Sequence, residues 1–217
     1  MLSWMNLFKK RAALSSLEKV QPEQLEVPLL PLAAVLFPGG VLSLKLSEQR
    51  YLEMVAACMK DRTPFGVCLV LSGKEVGQAA QSYKVGTLAY IDTDDLVLSD
   101  GLSVKVRGGR RFRILSETLG GNGLLRAQVE LLLEPKRQGI PVSLRGLLPL
   151  LRKVVGDLGV EKIQEPHYFD NAAWVGYRLT EVVPVQLLAK QKLLELDDPV
   201  SRLEILFVYL SQRKLLL

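Results

Sequence analysis

The sequence predicts an α+β protein, on three observations. Residues 25–135 are built from short apolar or alternating runs punctuated by Gly, Pro and Asp, the pattern of strands joined by tight turns. One stretch among them has helical period instead: Tyr51, Met54, Val55, Cys58 and Met59 fall at i, i+3, i+4, i+7 and i+8, on one face. After a polar, proline-bounded linker from Glu134 to Pro141 the punctuation becomes helical and stays so. The expected organisation is an N-terminal extension over 1–24, a mostly antiparallel β domain with one helix over 25–135, and a helical bundle over 140–217.

Residues 1–21 carry Trp4, Met5, Leu7 and Phe8 beside a basic run, with Lys9, Lys10, Arg11 and Lys19 against Glu18 alone. They read as an extension outside the folded region, with a membrane-surface helix as the competing reading. Val27 to Leu44 contains no charge over eighteen residues, long enough to raise a membrane span. Pro28, Pro31, Pro38 and the pair Gly39-Gly40 break it too often for one lipid-exposed helix to satisfy its own backbone. The expected structure is two buried strands, 29–36 and 41–46, with Phe37-Pro38-Gly39-Gly40 as the turn between them.

Ser47 is the expected cap of the helix carrying Tyr51, with Glu48 in its first turn, and Asp61-Arg62-Thr63-Pro64 ends it. Phe65 to Leu71 is a buried strand, Ser72 to Glu75 a turn and 76–83 an exposed loop. A further strand starts at Val85. Asp92-Thr93-Asp94-Asp95 is expected as a solvated turn, since a calcium loop begun at Asp92 finds Val97 and Ser103 where Gly and Glu belong. Asp100-Gly101 signals a hairpin, after which Leu102, Val104 and Val106 alternate with Ser103, Lys105 and Arg107. Gly108-Gly109 suits a bulge, past which Arg111 and Arg113 face away from Phe112 and Ile114. Gly120 to Gly123 turns the chain into a strand near 124–133. Helices are expected at 143–157, with Pro149 as a possible interruption, and at 171–181, 184–196 and 199–213. Pro184 and Pro199 fit first turns, Asp198 fits an N-cap, and Leu203, Leu206, Phe207 and Leu210 form a core stripe.

Composition narrows the function classes. Of 217 residues, 48% are apolar and 24% charged, an ordinary globular balance, and the net charge of +5 permits an anionic partner without requiring one. No phosphate-binding loop is present, because Gly73-Lys74 is followed by Glu75, and there is no Gly-x-Ser-x-Gly elbow. His167 is the sole histidine, which excludes a multi-histidine metal site, and it reads as a structural or surface residue in a loop before a helix. Cys58 and Cys68 read as buried thiols of a reducing compartment, and no secretory leader is evident, so the expected location is cytoplasmic. Neither a cofactor nor catalytic residues are expected.

Leu30-Pro31-Leu32, Leu36-Phe37-Pro38-Gly39-Gly40, Arg50-Tyr51 and Pro64-Phe65-Gly66-Val67 together carry a family resemblance. It continues through Gly73 to Gly77, Val85-Gly86-Thr87-Leu88-Ala89, Val106 to Ile114 and Lys190 to Glu195. The sequence resembles the N-terminal (LON) domain of ATP-dependent Lon proteases over roughly residues 27 to 210, and is most similar to bacterial proteins made of this domain alone. One departure is Leu46-Ser47-Glu48-Gln49, where the family has a Phe-Glu-Pro type sequence before Arg-Tyr.

The resemblance implies a PUA-like β pseudobarrel followed by a helical bundle. It also implies capture of unfolded or degron-bearing polypeptide without catalysis, since the ATPase and protease parts of Lon lie outside what is matched. The candidate peptide-binding residues are Phe37, Pro38, Tyr51 and Phe65, which read either as an apolar surface or as plain core. The edge of the β domain is a second candidate. The alternative is RNA binding by the basic strand, Lys105, Arg107, Arg110, Arg111 and Arg113, which otherwise reads as a solvated strand face; no aromatic residue shares that face to stack on bases. The expected partner is unfolded polypeptide or another protein. A homo-oligomer contact through Leu215-Leu216-Leu217 and the N-terminal extension is a further possibility.

Overall fold

The computed structural model describes residues 23–72, 81–99 and 101–216, so the expectations for 1–21, for most of the 76–83 loop and for Asp100 and Leu217 lie outside it. The β elements come first: β1 (Gln24–Leu32), β2 (Val41–Leu46), α1 (Gln49–Asp61), β3 (Phe65–Ser72), β4 (Gln81–Ser82), β5 (Val85–Ser99), β6 (Gly101–Leu119) and β7 (Leu125–Leu131). A 3-10 turn (Val142–Leu144) leads to α2 (Leu147–Leu158), α3 (Ala172–Val182), α4 (Leu187–Glu195) and α5 (Pro199–Gln212).

The sheet closes on itself. β7, β6, β5 and β3 are neighbours in antiparallel order, and β1 joins the two ends. Its first half pairs antiparallel with β7 (Gln24↔Glu130 to Pro28↔Arg126), and its second half pairs parallel with β3 (Leu29↔Gly66 to Leu32↔Leu69). A parallel pair needs a crossover, and here β2 and α1 supply it. β6 is long enough to serve two neighbours on one side: β7 along 112–119 and β2 along 102–107.

The two opening strands therefore do not pair with each other. β1 begins earlier than expected and ends at Leu32, and the turn at 37–40 delivers β2 to β6. That turn closes with Gly40 N–H donating to the Phe37 carbonyl at 2.9 Å, with Gly39 at φ +70. It docks on the expected bulge: Gly39 N–H reaches the Gly108 carbonyl at 2.7 Å, and Gly108 N–H reaches that of Gly40 at 2.8 Å. A Cβ on Gly108 would lie 2.1 Å from the Phe37 carbonyl oxygen, so only glycine permits this approach. Around it, register steps from Thr87↔Arg111 to Ala89↔Gly108, leaving an extra residue on β6.

Other local expectations shift for identifiable reasons. α1 starts at Gln49, with Glu48 rather than Ser47 at the cap; the Glu48 carboxylate pairs with Arg50 at 2.7 Å instead of capping. Arg62, at φ 53, ends the helix. The acidic 92–95 segment is not a turn: β5 runs through it, and register steps from Asp92↔Lys105 to Val97↔Ser103 as a bulge. Pro149 does not interrupt α2, because it sits in the first turn, where its missing N–H has no intrahelical partner to lose. Pro184 lies outside α4, which begins at Leu187. Asn171 caps α3, accepting from Ala173 N–H at 2.9 Å, and Asp198 caps α5, accepting from Ser201 N–H at 2.6 Å ahead of Pro199.

Apolar burial divides into a core inside the strands and one among the helices. The first gathers Leu30, Leu44, Leu46, Met54, Val55, Phe65, Val67, Val104 and Val106, with a neighbouring group around Leu29, Phe112 and Val129. The second gathers Leu147, Leu151, Val175, Leu179, Leu203, Leu206 and Leu210, with Phe207 and Leu216 packed on it. Each fully buried Leu or Phe contributes about 1.5–3 kcal/mol relative to exposure. A small third group, Phe37, Val85, Tyr177 and Leu194, joins the two.

Candidate functional site: the seam between strands and helices

The seam is built by side chains whose partners are remote in sequence. Arg111 of β6 is fully buried, and its Nη1 donates to the carbonyls of Leu194 at 2.9 Å and Leu196 at 3.3 Å. Its Nη2 pairs with Asp197 at 3.1 Å. Arg202 of α5, also fully buried, donates from Nε to the Leu193 carbonyl at 2.8 Å and from Nη2 to that of Leu196. The two guanidiniums thus satisfy the last carbonyls of α4, which have no intrahelical partner and carry partial negative charge. Gln191 of α4 donates to the Val85 carbonyl at 3.0 Å, tying the same helix to β5.

On the other side of the seam, Arg178 of α3 donates from Nη2 to the Pro38 carbonyl at 2.8 Å and pairs with Glu181 at 2.8 Å. The clamp holds the 37–40 turn against α3, where the Phe37 ring lies 5.8 Å from Tyr177. Burial pushes the Glu181 carboxyl up to about 7, opposed by the Arg178 charge. Lys190 donates to the Glu181 backbone carbonyl at 2.7 Å, and partial burial lowers its ammonium from the usual value.

Beside this clamp is a cavity of about 260 Å³, lined by Leu36, Val41, Leu42, Leu158, Ile163 and Val182 and rimmed by Lys162, Glu181 and Lys190. It touches the first two residues of β2. A second cavity, of about 250 Å³, is lined by Leu30, Leu32, Lys45, Leu46, Tyr51 and Val70 and touches the last two. Among the described residues β2 pairs with β6 alone, so its other edge carries unpaired backbone groups between the two recesses.

The four candidate peptide-binding residues do not come together. Phe37 and Phe65 are both 0% exposed, the first in the seam and the second inside the strands, so neither offers a surface. Pro38 is half-buried, its carbonyl held by Arg178. Tyr51 is half-buried under the Arg50 guanidinium, 4.7 Å from its ring centroid, and lines the second cavity. The basic strand does not form a single exposed track either. Arg107 and Arg113 are exposed and Lys105 is half-buried, Arg110 pairs with Glu23 at 2.7 Å, and Arg111 is turned into the seam. The reason is the bulge together with α4 and α5, which cover the polar face of β6 at Arg111.

Sequence reasoning missed Arg178, Glu181 and Arg202. A signal exists: Arg178 sits next to Leu179 and three residues after Val175, inside an apolar helical face, and Arg202 adjoins Leu203 in the same manner. Among the described residues no group of three or more His, Cys, Asp and Glu is placed to hold a metal, and no helix is long and apolar enough to cross a membrane.

A family model, the ATP-dependent protease La (LON) substrate-binding domain, matches residues 26–212. The chain is 31% identical over 201 residues to Lon protease 2 of Herpetosiphon aurantiacus, covering 87% of this chain and 24% of that protein. It is 30% identical over 195 residues to the Lon protease of Xanthomonas oryzae pv. oryzae, covering 86% and 23%. The chain thus spans about a quarter of the length of the curated relatives it matches. Among solved structures, the Lon N-terminal domain protein from Xanthomonas campestris aligns at a TM-score of 0.71 and 32% identity, covering 85% of this chain and 98% of that one. The N-terminal domain of Mycobacterium avium complex Lon protease aligns at 0.61 and 19% identity, covering 86% and 98%, a likeness of fold alone. Both the fold and the extent of the family match place this chain in the LON substrate-binding domain family.

Proposed function

We propose that the protein is a non-catalytic recognition module for extended, unfolded polypeptide, which it takes along the free edge of β2. The observation that carries this reading is the unpaired β2 edge with an apolar recess at each end. Strand addition supplies sequence-independent main-chain hydrogen bonds, and the recesses accept apolar side chains, as a binder of unfolded chains requires. The description of its family as a substrate-binding domain supports the same reading. Buried, unpaired Cys58 and Cys68 fit a reducing, cytoplasmic setting.

The test is fluorescence anisotropy of a labelled, permanently unfolded polypeptide titrated at low and moderate salt, beside a labelled single-stranded RNA. Binding of the polypeptide that persists at higher salt, and that weakens in Leu158→Asp, is the expected result. Leu158 lines the first recess and is 43% exposed, so the change leaves the helical core intact. RNA binding that falls steeply with salt, with no polypeptide binding, would overturn the reading.

A further inference from the structure

A further cavity lies away from the seam, among residues of the helical part. It measures about 580 Å³ and is lined by Ile140, Arg145, Leu148, Arg152, His167 and Phe169, with Asp170 at its edge. Arg145, Leu148 and Arg152 share one face because the backbone is already helical at Arg145 (φ −63, ψ −17) and Gly146 (φ −59, ψ −15) and continues into α2. The segment before α3 forms the opposite wall. There Phe169 packs edge-on against Trp174, with ring centroids 5.3 Å apart, and Arg152 lies over Phe169, its guanidinium carbon 4.2 Å from the ring centroid. His167 donates from Nε2 to the Ile163 carbonyl at 3.1 Å, since a carbonyl can only accept, and this anchors its ring between Phe169 and Trp174.

The charges are unevenly satisfied. Asp170 is paired with Arg137 at 2.6 Å, which neutralises the one carboxylate in the lining. Neither the Arg145 nor the Arg152 guanidinium has a hydrogen-bond or ion-pair partner among the described residues, and that of Arg152 has only the ring beneath it. One recess therefore combines two guanidiniums seeking an anion with an apolar floor of Ile140, Leu148 and Phe169.

We propose that this cavity binds the C-terminal residue of a polypeptide, its free carboxylate on Arg145 and Arg152 and its apolar side chain on Ile140, Leu148 and Phe169. An internal Asp or Glu serves less well. In an extended chain adjacent side chains point to opposite faces, so an apolar neighbour of an acidic residue is turned away from the recess. The C-terminal residue carries both chemistries on one α-carbon. A nucleic-acid backbone needs a longer track of cations than the two arginines of this lining. The protein's own N-terminal residues, basic at Lys9, Lys10 and Arg11, have the wrong sign to fill the cavity.

This inference rests on the polypeptide-recognition reading above, and its test separates the two. A labelled Gly- and Ser-rich decapeptide ending in Leu is titrated as the free acid and as the C-terminal amide. The wild type is compared with Arg145→Gln, Arg152→Gln and a control, Lys153→Gln, whose side chain is exposed on α2 and outside the cavity. The acid is expected to bind roughly tenfold tighter than the amide, the worth of one charge-assisted hydrogen-bond pair. That advantage disappears in both arginine variants and survives in the control. Equal affinity of acid and amide, an equal loss for both ligands in the variants, or no binding of either peptide overturns the proposal. If the long unfolded polypeptide still binds in those cases, the function proposed above stands; if it also fails, both fall.

Discussion

Arg111 on β6 and Arg202 on α5 meet at the C-terminal end of α4, where one donates to the Leu194 carbonyl at 2.9 Å and the other to that of Leu193 at 2.8 Å. Strand and helix are thereby fixed to the end of a third element, where both reach the Leu196 carbonyl. Removing either guanidinium leaves one carbonyl without its donor, that of Leu194 for Arg111 and of Leu193 for Arg202, at about 1–3 kcal/mol. Arg111→Met and Arg202→Met are each expected to lower stability by about 2–4 kcal/mol, read as a shift in the urea midpoint without a change of slope. Because the two side chains share the Leu196 carbonyl, either one alone still supplies it with a donor, so the double variant is expected to cost more than the sum of the singles.

The approach of the 37–40 turn to the β6 bulge gives a second expectation. Gly108→Ala places a methyl 2.1 Å from a backbone oxygen that cannot move without releasing Phe37 from Tyr177. A cost of about 2 kcal/mol or more follows from overpacking, seen as a fall of roughly 4–8 °C in Tm. Gly121→Ala, where nothing lies within 4 Å of the new methyl, is the control and should change little.

Phe37 now carries a prediction opposite to that of a surface residue. Its ring is 0% exposed, so Phe37→Ala should cost about 3–5 kcal/mol through loss of burial and the cavity left behind. Any loss of polypeptide binding in that variant reports damage to the seam. A thermal melt run beside the binding curve distinguishes it from Leu158→Asp, which should lose affinity at nearly unchanged Tm.

The Arg178–Glu181 clamp titrates near neutrality. Burial raises the Glu181 carboxyl from its usual 4.5 to about 7 in the folded chain, so between these values the folded state holds a proton that the unfolded state has released. The contribution is fully present below pH 4.5 and is lost as pH rises through 7. The slope is at most about 1.4 kcal/mol per pH unit for one proton. Urea midpoints of wild type and Glu181→Gln between pH 5 and 8 test this: the difference between them should change across the window and level off above it. A constant difference would mean that Arg178 keeps the carboxylate ionised throughout.

Much of the local structure was legible in the sequence. The face of α1, the bulge at Gly108-Gly109, the turn at 120–123 and the cap Asp198 are all set by side-chain period or by the few residues that tolerate a given backbone shape. These are short-range properties, and the sequence states them directly. It also singled out Phe37, readable as surface or as core, and Arg111, read on an exposed strand face; both are buried in the seam. The alternation around Phe112 shows which face of β6 is apolar; it does not show what covers the other face.

That cover was decided by the tertiary structure alone. Arg111 lies 83 residues before Leu194, and Arg178 lies 140 residues after Pro38, separations that no local pattern records. The closing of the barrel through β1, the pairing of β2 with β6 instead of β1, and the α2 face that brings Arg145 and Arg152 to the aromatic wall at Phe169 belong to the same class. The sequence determines which residues are able to bury themselves and where the chain turns. Which surfaces then meet depends on satisfying every buried donor and acceptor at once, and that condition exists only in the folded chain.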